Sequence, residues 1–186
     1  KWRGVFKISI KNNLPSFESI KANAHALGRY SALAQEANMV PIVEPEVLMD
    51  GDHDAKTCYQ VTKIILEETF YQLSNNNVKL EGIILKPNMI LPGSNSNKKI
   101  TNEEVAKQTL KCLKEYVPAE VPGIAFLSGG QTEMEATKNL NLINKFNDTG
   151  FIMTFSFGRA LQKSALKFWS KDINNIKGTQ DTFNHR

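Results

Sequence analysis

Leu80-Glu81-Gly82-Ile83-Ile84-Leu85-Lys86-Pro87-Asn88-Met89 is the stretch on which the fold of this chain turns. The apolar run Ile83, Ile84, Leu85 is what a strand buried on both faces looks like, and parallel sheets covered by helices need such strands. It ends on a lysine. Lysine is rarely buried unless it is paired or used, and Pro87 stops the strand one residue later because it has no N–H to give a ladder. Catalytic groups of α/β barrels sit at this end of a strand. An amine held there in apolar surroundings loses basicity, which a Schiff-base nucleophile requires at neutral pH. The plain alternative is a lysine whose stem follows the strand while its ammonium reaches water. Alone, the stretch favours that alternative, so the rest of the chain has to shift the balance.

On either side of it, strand and helix patterns alternate. Val5, Lys7 and Ser9 alternate with Phe6, Ile8 and Ile10, which predicts a strand over 5–10. Apolar residues Ile20, Ala24, Leu27, Tyr30 and Ala34 recur at helical spacing and predict a helix over 19–37. A short apolar strand over 39–43 ends at Glu44-Pro45-Glu46, so charge stands where the strand stops, as at Lys86. The polar turn over 50–54 can cap a helix marked by Cys58, Val61, Ile65, Leu66, Phe70 and Leu73. After the lysine strand, the loop over 92–97 is long enough for a lid or a surface connection. Thr101 and Glu104 have capping-box spacing for the next helix. Further strands are predicted over 123–127, ending in Ser128-Gly129-Gly130, and over 151–155, ending in Ser156-Phe157-Gly158-Arg159. Helices are expected over 133–145 and 160–169, and the tail over 178–186 is weakly patterned.

Alternating βα units predict a parallel sheet with helices outside. An open doubly wound sheet would carry a glycine fingerprint after its first strand, and none is present. In a barrel, side chains from several strand ends converge on one mouth. Four ends here offer Glu44 and Glu46, Lys86, Ser128 and Gly129, and Gly158 and Arg159. Lys1 and Arg3 join them only if a strand runs through the start of the chain.

Composition narrows the remaining choices. At 186 residues, with 41% hydrophobic and 23% charged, the chain can bury a sizeable core. The net charge of +4 is spread over helical segments without a basic block, so nucleic acid is not expected and small anions are a better match. No apolar run reaches the roughly 20 residues of a membrane span. Cys58 and Cys112 fall in helical patterns and read as buried reduced thiols of a cytoplasmic protein. His25, His53 and His185 lack zinc-ligand spacing and read as surface or helix residues, so no metal or other cofactor is expected.

As chemistry, Lys86 beside a second cation at Lys1 is the candidate free amine. Glu44 is placed to shuttle its protons, and Glu46 to orient Lys1. Ser128, the glycine N–H groups of Gly129 and Gly158, and Arg159 suit a phosphate, because glycine admits the oxyanion to the backbone and arginine adds paired donors.

Lys1-Trp2-Arg3, the run Pro41-Ile42-Val43-Glu44-Pro45-Glu46, Asp50-Gly51-Asp52-His53-Asp54, Leu85-Lys86-Pro87-Asn88-Met89, Leu127-Ser128-Gly129-Gly130-Gln131 and Ser156-Phe157-Gly158-Arg159-Ala160-Leu161, in this order, resemble class I fructose-bisphosphate aldolase. The resemblance covers nearly the whole chain. It implies a (β/α)8 TIM barrel, usually in a homotetramer, that cleaves fructose 1,6-bisphosphate to dihydroxyacetone phosphate and glyceraldehyde 3-phosphate. By position, Lys86 resembles the Schiff-base lysine, Glu44 its acid/base, Lys1 the second lysine, Glu46 the partner of Lys1, and Arg3 a substrate contact. Ser128, Gly129, Gly158 and Arg159 resemble the site for the phosphate of the ketone half. Such a site needs no metal, because the protonated imine is the electron sink, and the family also binds cytoskeletal proteins. Phe157 stands where the family has tyrosine. The family has about three further βα units ahead of Lys1, carrying an aspartate that helps C–C cleavage, and a tail ending in tyrosine. The expectation is therefore an incomplete barrel lacking its first three units, inactive as 186 residues alone. A barrel-derived scaffold without turnover, or a Schiff-base aldolase for another ketose phosphate, are the alternatives.

Overall fold

The structure is a computed structural model describing residues 1–185. Its centre is a five-stranded sheet, β1 (Trp2–Phe6), β2 (Ile42–Val47), β3 (Ile84–Leu85), β4 (Gly123–Phe126) and β5 (Ile152–Phe155). All neighbours are parallel, and their spatial order is their order in the chain. A doubly wound sheet reverses its strand order at a switch point, whereas a barrel adds each strand beside the last. Crossovers of one hand then put every helix on one face. The helices α1 (Phe17–Glu36), α2 (Ala55–Asn75), α3 (Asn102–Tyr116), α4 (Glu133–Phe146) and α5 (Arg159–Trp169) accordingly pack each against the next. The architecture is α/β of the TIM-barrel type.

Side-chain parity places the core and the site on opposite faces of the sheet. Gly4 and Phe6, Val43 and Val47, Leu85, Ile124 and Phe126 point to the helices. There Phe6, Leu85 and Phe126 join Leu27, Ile65, Leu66, Leu73 and Leu113 in one buried cluster. The intervening residues Arg3, Glu44 and Glu46 therefore face the other side, and Lys1 and Lys86 continue that parity.

Element ends follow from capping. Ser16 accepts from the Ser19 amide to start α1, and Asp54 accepts from the Thr57 amide to start α2. Capping boxes at Thr101 with Glu104 and at Thr132 with Glu135 start α3 and α4.

The elements depart from the sequence reading in four places. β1 starts three residues and ends four residues earlier than the alternating pattern, so Arg3 is inside it and Lys1 adjoins it. β2 runs on through Glu44-Pro45-Glu46, so the acids project from the strand itself. In a parallel ladder, successive residues bond to alternate neighbours. Val43 bonds toward β3, as its carbonyl accepts from Lys86 N–H at 2.7 Å, so Pro45 also turns its ring nitrogen toward β3, beyond the last β2–β3 pair. Proline is tolerated there because no donor is required. A 3-10 turn over Leu80–Gly82 leads into Ile83, so β3 is Ile84–Leu85, one residue shorter than the apolar run 83–85. The weakly patterned tail contains a helix, α6 (Ile176–Asn184), capped by Asn175 and braced by the Lys177–Asp181 pair. No described helix is long and apolar enough to cross a membrane.

Candidate active site

On the face opposite the helices, β2 presents Glu44 between two lysines. Lys86 Nζ lies 3.1 Å from Glu44 Oε1 and Lys1 Nζ lies 3.3 Å from Glu44 Oε2. Sheet order explains this: β2 is the middle strand of the three, and Glu44 stands level with Arg3 on one side and Lys86 on the other. Lys86 and Glu44 are buried, whereas the Lys1 side chain is 47% exposed. Lys86 does not reach out to water along its stem. Glu44 Oε2 is buried and accepts no hydrogen bond, so its contact with Lys1 is charge attraction without alignment and leaves a lone pair for a proton.

Glu46 corrects one expectation. Its Oε2 accepts from Arg3 Nε at 2.5 Å, and no contact joins it to Lys1. Val5, not Arg3, is the strand partner of Glu46, so Arg3 reaches along β1 toward it. The hydrogen bond to Glu46 raises the Arg3 pKa above its ordinary value and secures the guanidinium as a cation.

The strand ends beyond Lys86 supply the second half of the site. Leu127 N–H donates to Pro87 O at 3.1 Å, and Ser156 N–H to Phe126 O at 2.8 Å, so the turns after β3, β4 and β5 stand side by side. Ser128 is buried, and Gly129 and Gly130 follow with φ of 58° and 87°, a left-handed conformation that glycine adopts without a Cβ penalty. Gly158 starts α5 with no side-chain cap. Arg159 is the first residue of that helix, and its Nη2 lies 4.0 Å from where a Cβ on Gly130 would stand. Serine, glycine backbone, a helix start and arginine thus face one another across the turns after β4 and β5, an arrangement suited to an oxyanion.

Sequence reasoning missed Asn88. This buried amide accepts from Val47 N–H at 3.0 Å and donates to Thr62 Oγ1 and Met89 O, each at 3.1 Å. It carries the β2–β3 connection past Pro87, where backbone pairing has ended. The available signal was a strand interrupted by proline with an amide directly after it.

His53 also differs from expectation. It is buried in the loop after β2, neither at the surface nor on a helix, with both ring nitrogens lacking a hydrogen-bond partner. Burial lowers its pKa from the ordinary value, against the opposing charges of Asp52 and Asp54. His25 and His185 are exposed. Burial raises the Cys58 thiol to about 11 and the Cys112 thiol to about 12, which keeps both protonated and unreactive. Among the described residues, no three His, Cys, Asp or Glu side chains are grouped to hold a metal ion.

Parallel strands in sequential order, with a polar site on the face away from the helices and at the strand ends, define an α/β protein of the barrel type. The model of the glycolytic class-I fructose-bisphosphate aldolase family matches residues 1–186. A probable class 1 fructose-bisphosphate aldolase of Xanthomonas campestris is 51% identical over 173 residues, 93% of this chain and 51% of the relative. Cytosolic fructose-bisphosphate aldolase 4 of Arabidopsis thaliana is 49% identical over 98% of this chain and 46% of its own length. The Plasmodium falciparum aldolase, solved in complex with TRAP and a small-molecule inhibitor, superposes with a TM-score of 0.95 at 41% identity, covering 99% of this chain and 53% of that one. The chain belongs to the class I fructose-bisphosphate aldolase family, and it spans about half the length of the curated relatives it matches.

Proposed function

We propose that the protein of which this chain forms part reversibly cleaves fructose 1,6-bisphosphate through an imine on Lys86. The observation that carries this reading is the Glu44 carboxylate set between Lys86 and Lys1. Lys86 passes one proton to Glu44, and the freed amine adds to the ketone carbon, forming a C–N bond. A second nitrogen proton and the one held by Glu44 go to the carbonyl oxygen, which leaves as water and gives a protonated imine. Protonated imine nitrogen then accepts the electron pair of the C3–C4 bond as that bond breaks, the C4 hydroxyl proton passing to a base. Glyceraldehyde 3-phosphate departs first. Protonation of the enamine and return of water, with Glu44 again moving the protons, release dihydroxyacetone phosphate.

In this reading Lys1 pairs with Glu44, Glu46 anchors Arg3, and Arg3 binds substrate. The turn at Ser128 and Gly129 with Gly158 and Arg159 holds the phosphate of the ketone half. No metal takes part, since the imine is the electron sink. The remaining strands of a closed (β/α)8 barrel, assembly as a homotetramer, residence in the cytoplasm and binding of partner proteins such as cytoskeletal ones complete the proposal. Support for it comes from family membership and from the half of the relatives' length that this chain spans.

Borohydride reduction of the full-length protein with dihydroxyacetone phosphate is the test. One adduct is expected, located by peptide mapping at Lys86, absent from Lys86→Met and indifferent to chelators. A label on another lysine, or turnover abolished by a chelator, overturns the reading.

A further inference from the structure

Three buried or half-buried amides outside the charged trio form a continuous chain. Asn102, the first residue of α3, donates from Nδ2 to Asn139 Oδ1 at 2.6 Å. Asn139, within α4 and 2% exposed, donates from Nδ2 to Gln131 Oε1 at 2.7 Å. Gln131, also buried, donates from Nε2 to Ser128 O at 2.9 Å and touches Met89 Sδ at 3.5 Å. Ser128 O accepts as well from the Gln131 amide at 3.0 Å, so two donors grip one carbonyl. Every bond runs in the same direction, donor toward the turn.

Location gives the chain its meaning. Ser128 opens the turn whose next two residues have positive φ. Its carbonyl is gripped by two donors, which fixes the turn's conformation, and Arg159 lies beside Gly130 of that turn. At the other end, Asn102 sits directly after the segment that leaves the β3 end and docks on the loop after β2. Gly93, Ser94 and Asn95 N–H donate there to His53, Met49 and Gly51 carbonyls at 2.8, 2.7 and 2.9 Å. Met49 in turn packs near Gly129. A buried amide with an unmet donor or acceptor is costly, and linked hydrogen bonds polarise one another, so the three residues act as one unit.

We propose that Asn102, Asn139 and Gln131 are positioning residues that hold the 128–130 turn in its phosphate-binding form, tying affinity for the phosphate group to the docking of the segment between β3 and α3. The proposal rests on the reading of that turn as a phosphate site. None of the three touches substrate.

The test uses the full-length protein and two ligands, inorganic phosphate by calorimetry and unphosphorylated dihydroxyacetone by borohydride trapping on Lys86. Gln131→Glu keeps an acceptor for Asn139 but loses the donor to Ser128 O. It is expected to weaken phosphate binding about 10-fold, Asn139→Ala less, and Asn102→Ala, at the half-buried far end, about 2-fold. Trapping of dihydroxyacetone should be unchanged in all three, and KM for the bisphosphate should rise while kcat changes little. Equal losses with both ligands, or unaltered phosphate affinity in Asn139→Ala, overturn the proposal. If Asn139→Ala does not fold, Asn102→Ala and Gln131→Glu decide it by the same two readouts. Wild-type protein that binds phosphate but traps no ketone refutes the imine reading alone. Wild-type protein that traps ketone but binds no phosphate refutes the phosphate reading and this proposal with it.

Discussion

The two halves of the site are built by opposite means. Around Lys86 the working groups are side chains, spaced by the register of β1, β2 and β3, and their charges select one another. Around Ser128 the proposed working groups are largely backbone N–H, in a turn whose conformation is braced by amides behind it. A side-chain site is lost by changing the residue that reacts. A backbone site is lost by changing residues that never meet the ligand.

Substitutions at each half probe that contrast. Glu44→Gln should have the largest effect, slowing turnover by roughly 10²- to 10⁴-fold through loss of proton transfer, with the trapped adduct still on Lys86. Turnover at the wild-type rate would remove Glu44 from the chemistry. Asn88→Ala leaves Val47 N–H and Thr62 Oγ1 without their buried partner and should cost about 2–3 kcal/mol. Urea denaturation checks this, and Asn88→Asp, which keeps the acceptor for Val47, should lose less. Gly129→Ala places a Cβ at φ 58° and 3.2 Å from the Leu127 side chain, for about 1–2 kcal/mol of strain. Phosphate affinity should fall while dihydroxyacetone trapping persists, and loss of both would erase the distinction between the halves.

The smallest effect is expected from His53→Leu and concerns pH. With its folded-state pKa depressed, His53 takes up its proton at a lower pH in the folded chain than in the unfolded chain, where it does so near 6.5. More protons on the unfolded state mean that stability is full above that pH and falls as pH drops toward the folded value, by at most about 1.4 kcal/mol per pH unit. The leucine variant should lose that component of the slope between wild-type and variant denaturation curves measured from pH 7 to 5. Parallel curves would mean that the ring is charged in place.

Much of this architecture was legible from local pattern. The apolar run before Lys86, the Glu44-Pro45-Glu46 group and the glycines at 129 and 158 name chemistry that depends on residue type and strand position, and Thr101 with Glu104 announces a helix start. The Arg3–Glu46 pairing was not legible, because it depends on the direction in which a flexible arginine reaches along β1 once the strands are in register. Nor were Asn88, Gln131 and Asn139, whose partners include residues from 8 to 42 positions away in the chain. Polar residues of this kind look like surface until the packing that encloses them is known. His53 was misread for the same reason, and α6 because a single cap and one ion pair leave little periodic signal.

The prolines flanking this site have a mechanical consequence. Pro45 sits where β2 would donate to the Lys86 carbonyl, and Pro87 removes the next donor on the β4 side, so the backbone at Lys86 has fewer rungs than an ordinary central strand. Stiffness at that point is supplied by a carboxamide and by a shared charge in place of a ladder. Under the proposed mechanism, a strand end tethered in this way can yield as its terminal amine goes from ion-pair partner to covalent imine, while the helices behind it stay packed.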